Sequence, residues 1–327
     1  MLKDSFDRIH NYLRISLTDK CNLNCTYCCP VNMPKATFSR KNQMSAEEID
    51  TIVSVFVKEG VKKIRLTGGE PLIRKDAKEI IERLSKYPVE LTITTNGVYV
   101  HEFIQTFNKA GIRSVNVSLD TLKKEKNYFI SQRDEFKRVT ENIDLLLKNN
   151  FHVKVNVVVM KNVNDDEILD FIEWTKDRLV HVRFIEFMPF TGNQWSNKKV
   201  ISHKEILELI STKYDFIKLL NDKNDTSKKY LVPNHQGTFA IISTMSEPFC
   251  SSCNRMRLTT DGKMKNCLFS KDEVDILGAL RNGEDILPLI KKCVDDKQES
   301  LGGQFTPNYE ITDASKINNR SMINIGG

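Results

Sequence analysis

No run in the 327 residues approaches the roughly 18 consecutive apolar residues that a bilayer-spanning helix needs, so no segment reads as a membrane span. The N-terminus has no apolar signal core. Lys3, Asp4, Asp7 and Arg8 stand where one would lie, and a cytoplasmic chain is expected rather than a secreted one. A dense basic tract is missing too. Lys62-Lys63, Lys123-Lys124 and Lys228-Lys229 are short and scattered, and read as solvated surface, so no nucleic-acid partner is expected. The net charge of +6 is mild for this length and favours an anionic ligand only weakly. What is present fits a soluble globular protein: 40% hydrophobic and 28% charged residues, enough chain for one large domain and a smaller one or for two ordinary domains.

Eight cysteines carry the first chemical signal: Cys21, Cys25, Cys28, Cys29, Cys250, Cys253, Cys267 and Cys293. Two tight clusters without a secretion signal point to metal or redox chemistry rather than disulfides. Cys293, beside Lys291-Lys292 in a helical pattern, reads as a bystander. Cys29 follows Cys28 directly, so both side chains do not face one metal. Cys21, Cys25 and Cys28 have C-x3-C-x2-C spacing after a strand-like run. Such a trio can hold three corners of an iron–sulfur cube and leave the fourth iron bare. A zinc site would want a fourth ligand, which no histidine nearby in sequence supplies. Cys250, Cys253 and Cys267 give C-x2-C-x13-C, again three ligands; zinc, a redox pair and a second iron–sulfur cluster all fit this set. Between them lie Arg255, Arg257, Lys263 and Lys265. Arg255 and Arg257 alternate, so a strand presents both on one face, suited to a polyphosphate or carboxylate; a solvated basic strand would look the same.

From residue 12 to about 190, β-rich runs alternate with helical patterns. The runs are Tyr12–Thr18, Lys63–Thr67, Glu90–Thr95, Ser114–Leu119, Val153–Met160 and Val182–Met188. The helical patterns are Ser45–Glu59, Asp76–Leu84, Val100–Lys109, Glu135–Lys148 and Asp165–Lys176. Ser45 and Glu48 form a capping-box pattern, and Ile49, Ile52, Val53 and Phe56 make one apolar face. Strands joined by helices imply an α/β fold with a parallel sheet, doubly wound or curved into a partial barrel open on one side. Ligands would then gather at the strands' C-terminal ends. Arg14, Lys63, Arg65, Lys154 and Arg183 also sit on strands. Charges inside a barrel are costly unless paired or ligand-bound, so they point to an anionic substrate. Asn221–Lys229 reads as a charged loop. The expected domains are 1–235, with its core at 12–190, and 236–327.

The cysteine motif with Tyr27 before its last member, followed one βα unit later by Gly68-Gly69-Glu70-Pro71, resembles the radical S-adenosylmethionine superfamily. Further motifs resemble the GTP 3',8-cyclases of molybdenum cofactor biosynthesis along nearly the whole chain. They include Leu13-Arg-Ile-Ser-Leu-Thr-Asp19, Thr94-Thr-Asn-Gly97, Asn116-Val-Ser-Leu-Asp120, Val153-Lys-Val-Asn-Val157, Arg183-Phe-Ile-Glu-Phe-Met188, Phe249-Cys-Ser-Ser-Cys-Asn-Arg-Met-Arg-Leu258 and the terminal Gly326-Gly327.

That resemblance implies a partial (βα)6 TIM-like barrel whose open side is closed by a C-terminal α+β auxiliary-cluster domain. It implies two [4Fe–4S] clusters and S-adenosylmethionine, with Cys21, Cys25 and Cys28 on the first cluster and Cys250, Cys253 and Cys267 on the auxiliary one. Tyr27, Gly69, Ser118 and Met188 would hold S-adenosylmethionine, with Asn116 a further donor near its carboxylate or ribose. As plainer roles, Ser118 could cap a helix, Met188 could pack in the core and Glu70 could brace its loop. Arg14, Lys63, Arg65, Thr94, Lys154, Arg255 and Arg257 would hold GTP. Arg255, Arg257, Gly326 and Gly327 would serve catalysis, the glycine tail reaching into the site. The implied reaction is a lyase step in which a 5'-deoxyadenosyl radical takes hydrogen from C3' of GTP and the carbon radical attacks C8, giving the 3',8-cyclo nucleotide. Implied partners are a reducing electron donor, the cyclic pyranopterin monophosphate synthase downstream and a second copy in a homodimer. Cys29 departs from the methionine usual in that family, and Lys123–Asn127 keeps its pattern only loosely. A peptide-modifying radical enzyme and a zinc-bearing interaction protein are the rival readings.

Overall fold

The computed structural model describes residues 1–28, 42–306 and 308–326. Six parallel strands follow one another: β1 (Tyr12–Ser16), β2 (Lys63–Thr67), β3 (Glu90–Thr95), β4 (Ser114–Ser118), β5 (His152–Val159) and β6 (Val180–Glu186). The helices between them are α1 (Ala46–Lys58), α2 (Ala77–Leu84), α3 (Ile104–Lys109), α4 (Lys124–Ser131), α5 (Phe136–Lys148) and α6 (Ile168–Trp174).

Strand alternation decides which side each residue serves. In β1, Leu13 and Ile15 are fully buried beneath the helices, and in β2 Ile64 and Leu66 do the same. In β5 the matching set is Val153, Val155, Val157 and Val159. The intervening residues, among them Arg14, Arg65, Lys154 and Asn156, face inward and line a cavity. α1 begins at a complete capping box, Ser45 to Glu48. It buries Ala46, Ile49, Ile52, Val53 and Phe56, the apolar stripe its period requires.

Two expectations are adjusted. The Val100–Lys109 pattern is a 3₁₀ turn, Val100–Glu102, followed by α3. The charged stretch after Asp120 contains α4, whose pattern is masked because Tyr128 and Phe129 are exposed and only Ile130 and Ser131 are buried.

The later residues extend this sheet at both flanks. After α7 (His203–Ser211) come β7 (Ile217–Lys218), β8 (Lys228–Leu231), β9 (Thr238–Ile242), β10 (Arg255–Leu258), β11 (Lys263–Lys265) and β12 (Val274–Asp275). α8 (Ile276–Arg281), α9 (Leu287–Asp295) and α10 (Met322–Ile325) complete the chain. The order is β12-β11-β10-β1-β2-β3-β4-β5-β6-β9-β8-β7. β9 pairs parallel with β6 and β10 parallel with β1; the outermost strands turn antiparallel. The partial barrel of six expected strands is therefore lengthened by one parallel strand at each edge, and among the described residues no ring of strand hydrogen bonds closes it. Loops span the gap instead. Asn224 Nδ2 donates to the Ser252 carbonyl at 2.7 Å, tying the β7–β8 connection to the second cysteine loop. Of the charged Asn221–Lys229 segment, Lys228 and Lys229 belong to β8.

Candidate active site

Two chambers lie inside the curved sheet, of about 170 and 610 Å³. Asn156, Ile185 and Met322 line both, so the chambers adjoin.

The smaller chamber gathers Cys21, Cys25, Cys28, Tyr27, Gly69, Thr94 and Ser118. The Tyr27 hydroxyl donates to Asp120 Oδ2 at 2.7 Å, and the Val158 amide donates to Asp120 Oδ1 at 2.9 Å. Burial pushes the Asp120 carboxyl up to about 6 against these two hydrogen bonds. Asn96 Nδ2 points at the Cys21 sulfur at 3.8 Å. A Cβ on Gly69 would come within 2.3 Å of the Lys20 carbonyl, so only glycine lets the two loops meet. Glu70 braces that loop from behind, as the plainer role had it. Its carboxylate is fully buried and accepts from the Leu72 amide, the Thr95 hydroxyl and the Asn96 amide at 3.0, 2.8 and 2.6 Å. Burial pushes it up to about 7, opposed by those donors.

The larger chamber is cationic. Register aligns Arg257, Arg14 and Arg65 in one row across β10, β1 and β2. A second row runs Asn116, Lys154 and His181 across β4, β5 and β6, and a third joins Asn156 to Arg183. Arg255 and Lys63 also line the space. Arg14 Nε, Arg183 Nε and Asn116 Oδ1 are buried without a hydrogen-bond partner among the described residues. Burial, and next Arg257, drive Arg14 well below its ordinary range. Burial, and next Arg183, bring Lys154 down to about 7. Buried and half-buried cations crowded on one another, two of them with an unpaired Nε, make a wall electrostatically suited to an anion.

Not every expected residue sits alike. Lys63 pairs with Glu90 at 2.8 Å near the rim. Thr94 lines the smaller chamber and accepts from Arg65 at 3.3 Å, so it stands between the two. Met188 lines the larger one and packs on a second apolar cluster. Lys265 is held by Glu273 and the Ser270 carbonyl, outside the chamber wall.

Sequence reasoning passed over Tyr12, Asn156, His152 and His181, which also line the larger chamber. Tyr12 accepts from Arg65 Nε and lies under Lys63 and Arg65. Their signal was strand parity: each is two residues from a basic position already singled out.

Cys250, Cys253 and Cys267 line the larger chamber at its far wall. Their sulfurs meet donors. The Leu301 amide lies 3.4 Å from Cys250, and Lys297 and Arg255 lie 3.5 and 3.8 Å from Cys253. Burial works to raise the Cys253 thiol, but Arg255 and Lys297 bring it down to about 6. Among the described residues no three Cys, His, Asp or Glu side chains converge on the position of one ion. The fit to iron–sulfur clusters rests on the donor sets: three thiols on a chamber wall in each case, with N–H groups aimed at sulfur.

The C-terminal tail enters the same space. Met322 lines both chambers, and Arg257 Nη1 donates to the Gly326 carbonyl at 2.7 Å. Gly327 and Cys29 lie outside the described residues. Cys293 is buried under α9 beside the Met264 carbonyl, and burial pushes its thiol up to about 12.

Comparison with known proteins places the chain in a family. Residues 15–175 match the Radical SAM superfamily and residues 180–302 match Molybdenum Cofactor Synthesis C. The chain is 44% identical over its whole length to molybdenum cofactor biosynthesis protein 1 of Dictyostelium discoideum, but spans only 52% of that protein. It spans about half the length of the first several curated relatives it matches. Against the mitochondrial GTP 3',8-cyclase of Arabidopsis thaliana it is 42% identical over all of the chain and 84% of the relative. Against the GTP 3',8-cyclase of Helicobacter pylori it is 41% identical over 91% of the chain and 94% of the relative. The fold also resembles Streptococcus suis SuiB bound to S-adenosylmethionine, with a TM-score of 0.66, 15% identity and coverage of 97% of this chain and 74% of that one. Among the described residues no helix is long and apolar enough to cross a membrane. The superfamily match brings with it one [4Fe–4S] cluster and S-adenosylmethionine. The chain belongs to the GTP 3',8-cyclase family of the radical S-adenosylmethionine superfamily.

Proposed function

We propose that this chain converts GTP into 3',8-cyclo-7,8-dihydroguanosine 5'-triphosphate, the opening reaction of molybdenum cofactor synthesis. One observation supports this above the rest: the two cysteine-bearing chambers adjoin, and the wall of the larger is a bank of buried and half-buried cations, among which Arg14 Nε and Arg183 Nε have no partner among the described residues. The clusters and S-adenosylmethionine, when bound, supply the electron and the radical that start the reaction.

The chain's own residues do the rest. Arg14, Arg65, Lys154, Arg183, Arg255 and Arg257 neutralise and orient the triphosphate, with Lys63 at the rim. Gly69 brings its backbone close to the methionine moiety, and Ser118 hydrogen-bonds it. Tyr27 closes the pocket over the first cysteine set, held there by Asp120. Thr94, between the chambers, keeps the Arg65 guanidinium turned toward the nucleotide. Met188 offers a polarisable wall. The barrel and the tail exclude water from a reactive intermediate. In this reading Cys250, Cys253 and Cys267 hold a second cluster, and the division at residue 235 separates the radical-forming unit from the auxiliary one. An external reductant, a second copy of the chain and a downstream pterin-forming synthase complete the proposal, with the cytoplasm as its place.

The test is anaerobic incubation of the reconstituted chain with dithionite, S-adenosylmethionine and GTP. The expected result is about eight irons per chain, with 5'-deoxyadenosine and a cyclised nucleotide of unchanged GTP mass. Cofactor cleavage without any change to GTP would refute the substrate assignment. Arg255→Ala should keep cofactor cleavage and lose the cyclised product; full cyclisation in that variant would remove Arg255 from the site.

A further inference from the structure

Lys297 follows α9 and is 3% exposed, a rare position for an ammonium group. Its Nζ lies 3.5 Å from the Cys253 sulfur and donates to the Arg255 carbonyl at 3.0 Å. Among the described residues no Asp or Glu oxygen comes within ionic contact of it. The nearby Asp4 is already engaged by Arg8 and His10, at 2.7 and 2.9 Å. Lys297 does not line the larger chamber, so it stands behind the cysteine, out of a substrate's reach.

Its backbone is fixed as firmly as its head. Arg8, itself buried, donates to the carbonyls of Cys250, Glu299 and Gln298 at 2.9, 2.7 and 2.9 Å. One guanidinium thus binds the second cysteine loop to the segment that carries Lys297. A buried cation without a carboxylate is costly unless a negative charge reaches it. Here the group it faces is the Cys253 sulfur, a cluster ligand in the reading above.

We propose that Lys297 is a positioning residue for the second cluster: its ammonium hydrogen-bonds the Cys253 sulfur and stabilises the reduced, more negative state of the cluster. This rests on the two-cluster reading above. Hydrogen bonds to ligating sulfur and nearby positive charge raise a cluster's reduction potential. Lys297 would therefore keep the second cluster easier to reduce than its three thiolates alone allow.

The test uses the full chain with Cys21, Cys25 and Cys28 replaced by alanine, so that iron reports on the second site alone. This parent should hold about four irons; none at all would refute the two-cluster reading itself. Lys297→Met keeps the volume and removes the charge, and Lys297→Arg keeps the charge. An EPR-monitored redox titration should give the Met variant a more negative midpoint, with the reduced-to-oxidised ratio at a fixed potential falling about tenfold, equivalent to ~59 mV for one electron. The Arg variant should sit near the parent. Iron lost in the Met variant and retained in the Arg variant, at the parent's midpoint, supports the same role. Full iron with an unchanged midpoint in the Met variant overturns it. Loss of iron in both variants, with the fold intact by circular dichroism, also overturns it, since the side chain would then be filling space.

Discussion

Lys154 shows how much a single side chain reports of its surroundings. It lies among Arg183, Arg65 and Lys63, with Glu90 partly offsetting them, and burial and that crowd bring it down to about 7. A triphosphate would restore its proton. Above pH 7 the empty site loses the charge, so binding must recover it. The part of GTP affinity that Lys154 supplies should then fall roughly tenfold between pH 6 and 8, as titration of one group at about 7 implies. Lys154→Arg should flatten that slope because guanidinium stays charged; isothermal titration across pH measures both. Glu70 gives the complementary case. In Glu70→Gln one oxygen becomes an NH2 facing the Leu72 and Thr95 donors or the Asn96 amide. At least one buried donor then goes unmet, at about 1–3 kcal/mol. An unchanged melting temperature would remove Glu70 from its bracing role.

Among the elements, α10 and the tail carry the clearest demand. Arg320 bonds Asp261 at 2.7 and 3.0 Å and also pairs with Glu273, anchoring the tail before it enters the chamber. Gly326 follows at φ +82°, where a Cβ would come within 3.0 Å of the Ser16 Cβ and 3.1 Å of Thr67 Cγ2. Gly326→Ala adds strain of order 1–3 kcal/mol. We expect product formation to fall at least tenfold while cofactor cleavage continues, read by following both products in one assay. Arg320→Ala should speed hydrogen exchange over residues 319–326; unchanged exchange would mean that the anchor lies elsewhere. The elements also show what sequence could and could not convey. β2 and β3 were legible to the residue because alternation and bounding turns coincide there. Both cysteine sets and the inward basic residues were legible because their types and spacing are chemical. α4 was not, since its exposed aromatic residues break the helical stripe. Arg8 and Lys297 were not either: their meaning depends on contacts between segments far apart in sequence, which no local pattern encodes.

At the scale of the whole molecule, the later residues are not an appendage. They supply β9 and β10, which cover the two edges of the six-stranded core. A chain cut after residue 190 would bare both edges, with their unpaired N–H and C=O groups. Such a fragment should elute as aggregate in size-exclusion chromatography, while the full chain runs as a defined species. A monodisperse fragment would show that the core stands alone. The arrangement also sets a schedule for the ribosome. Tyr12 waits for Arg255, and at roughly 5–20 residues per second that partner emerges some ten to fifty seconds later. During that interval the nascent chain carries an uncovered, aggregation-prone edge at β1. Where one strand was placed thus fixes how long that edge stands open to the wrong neighbour.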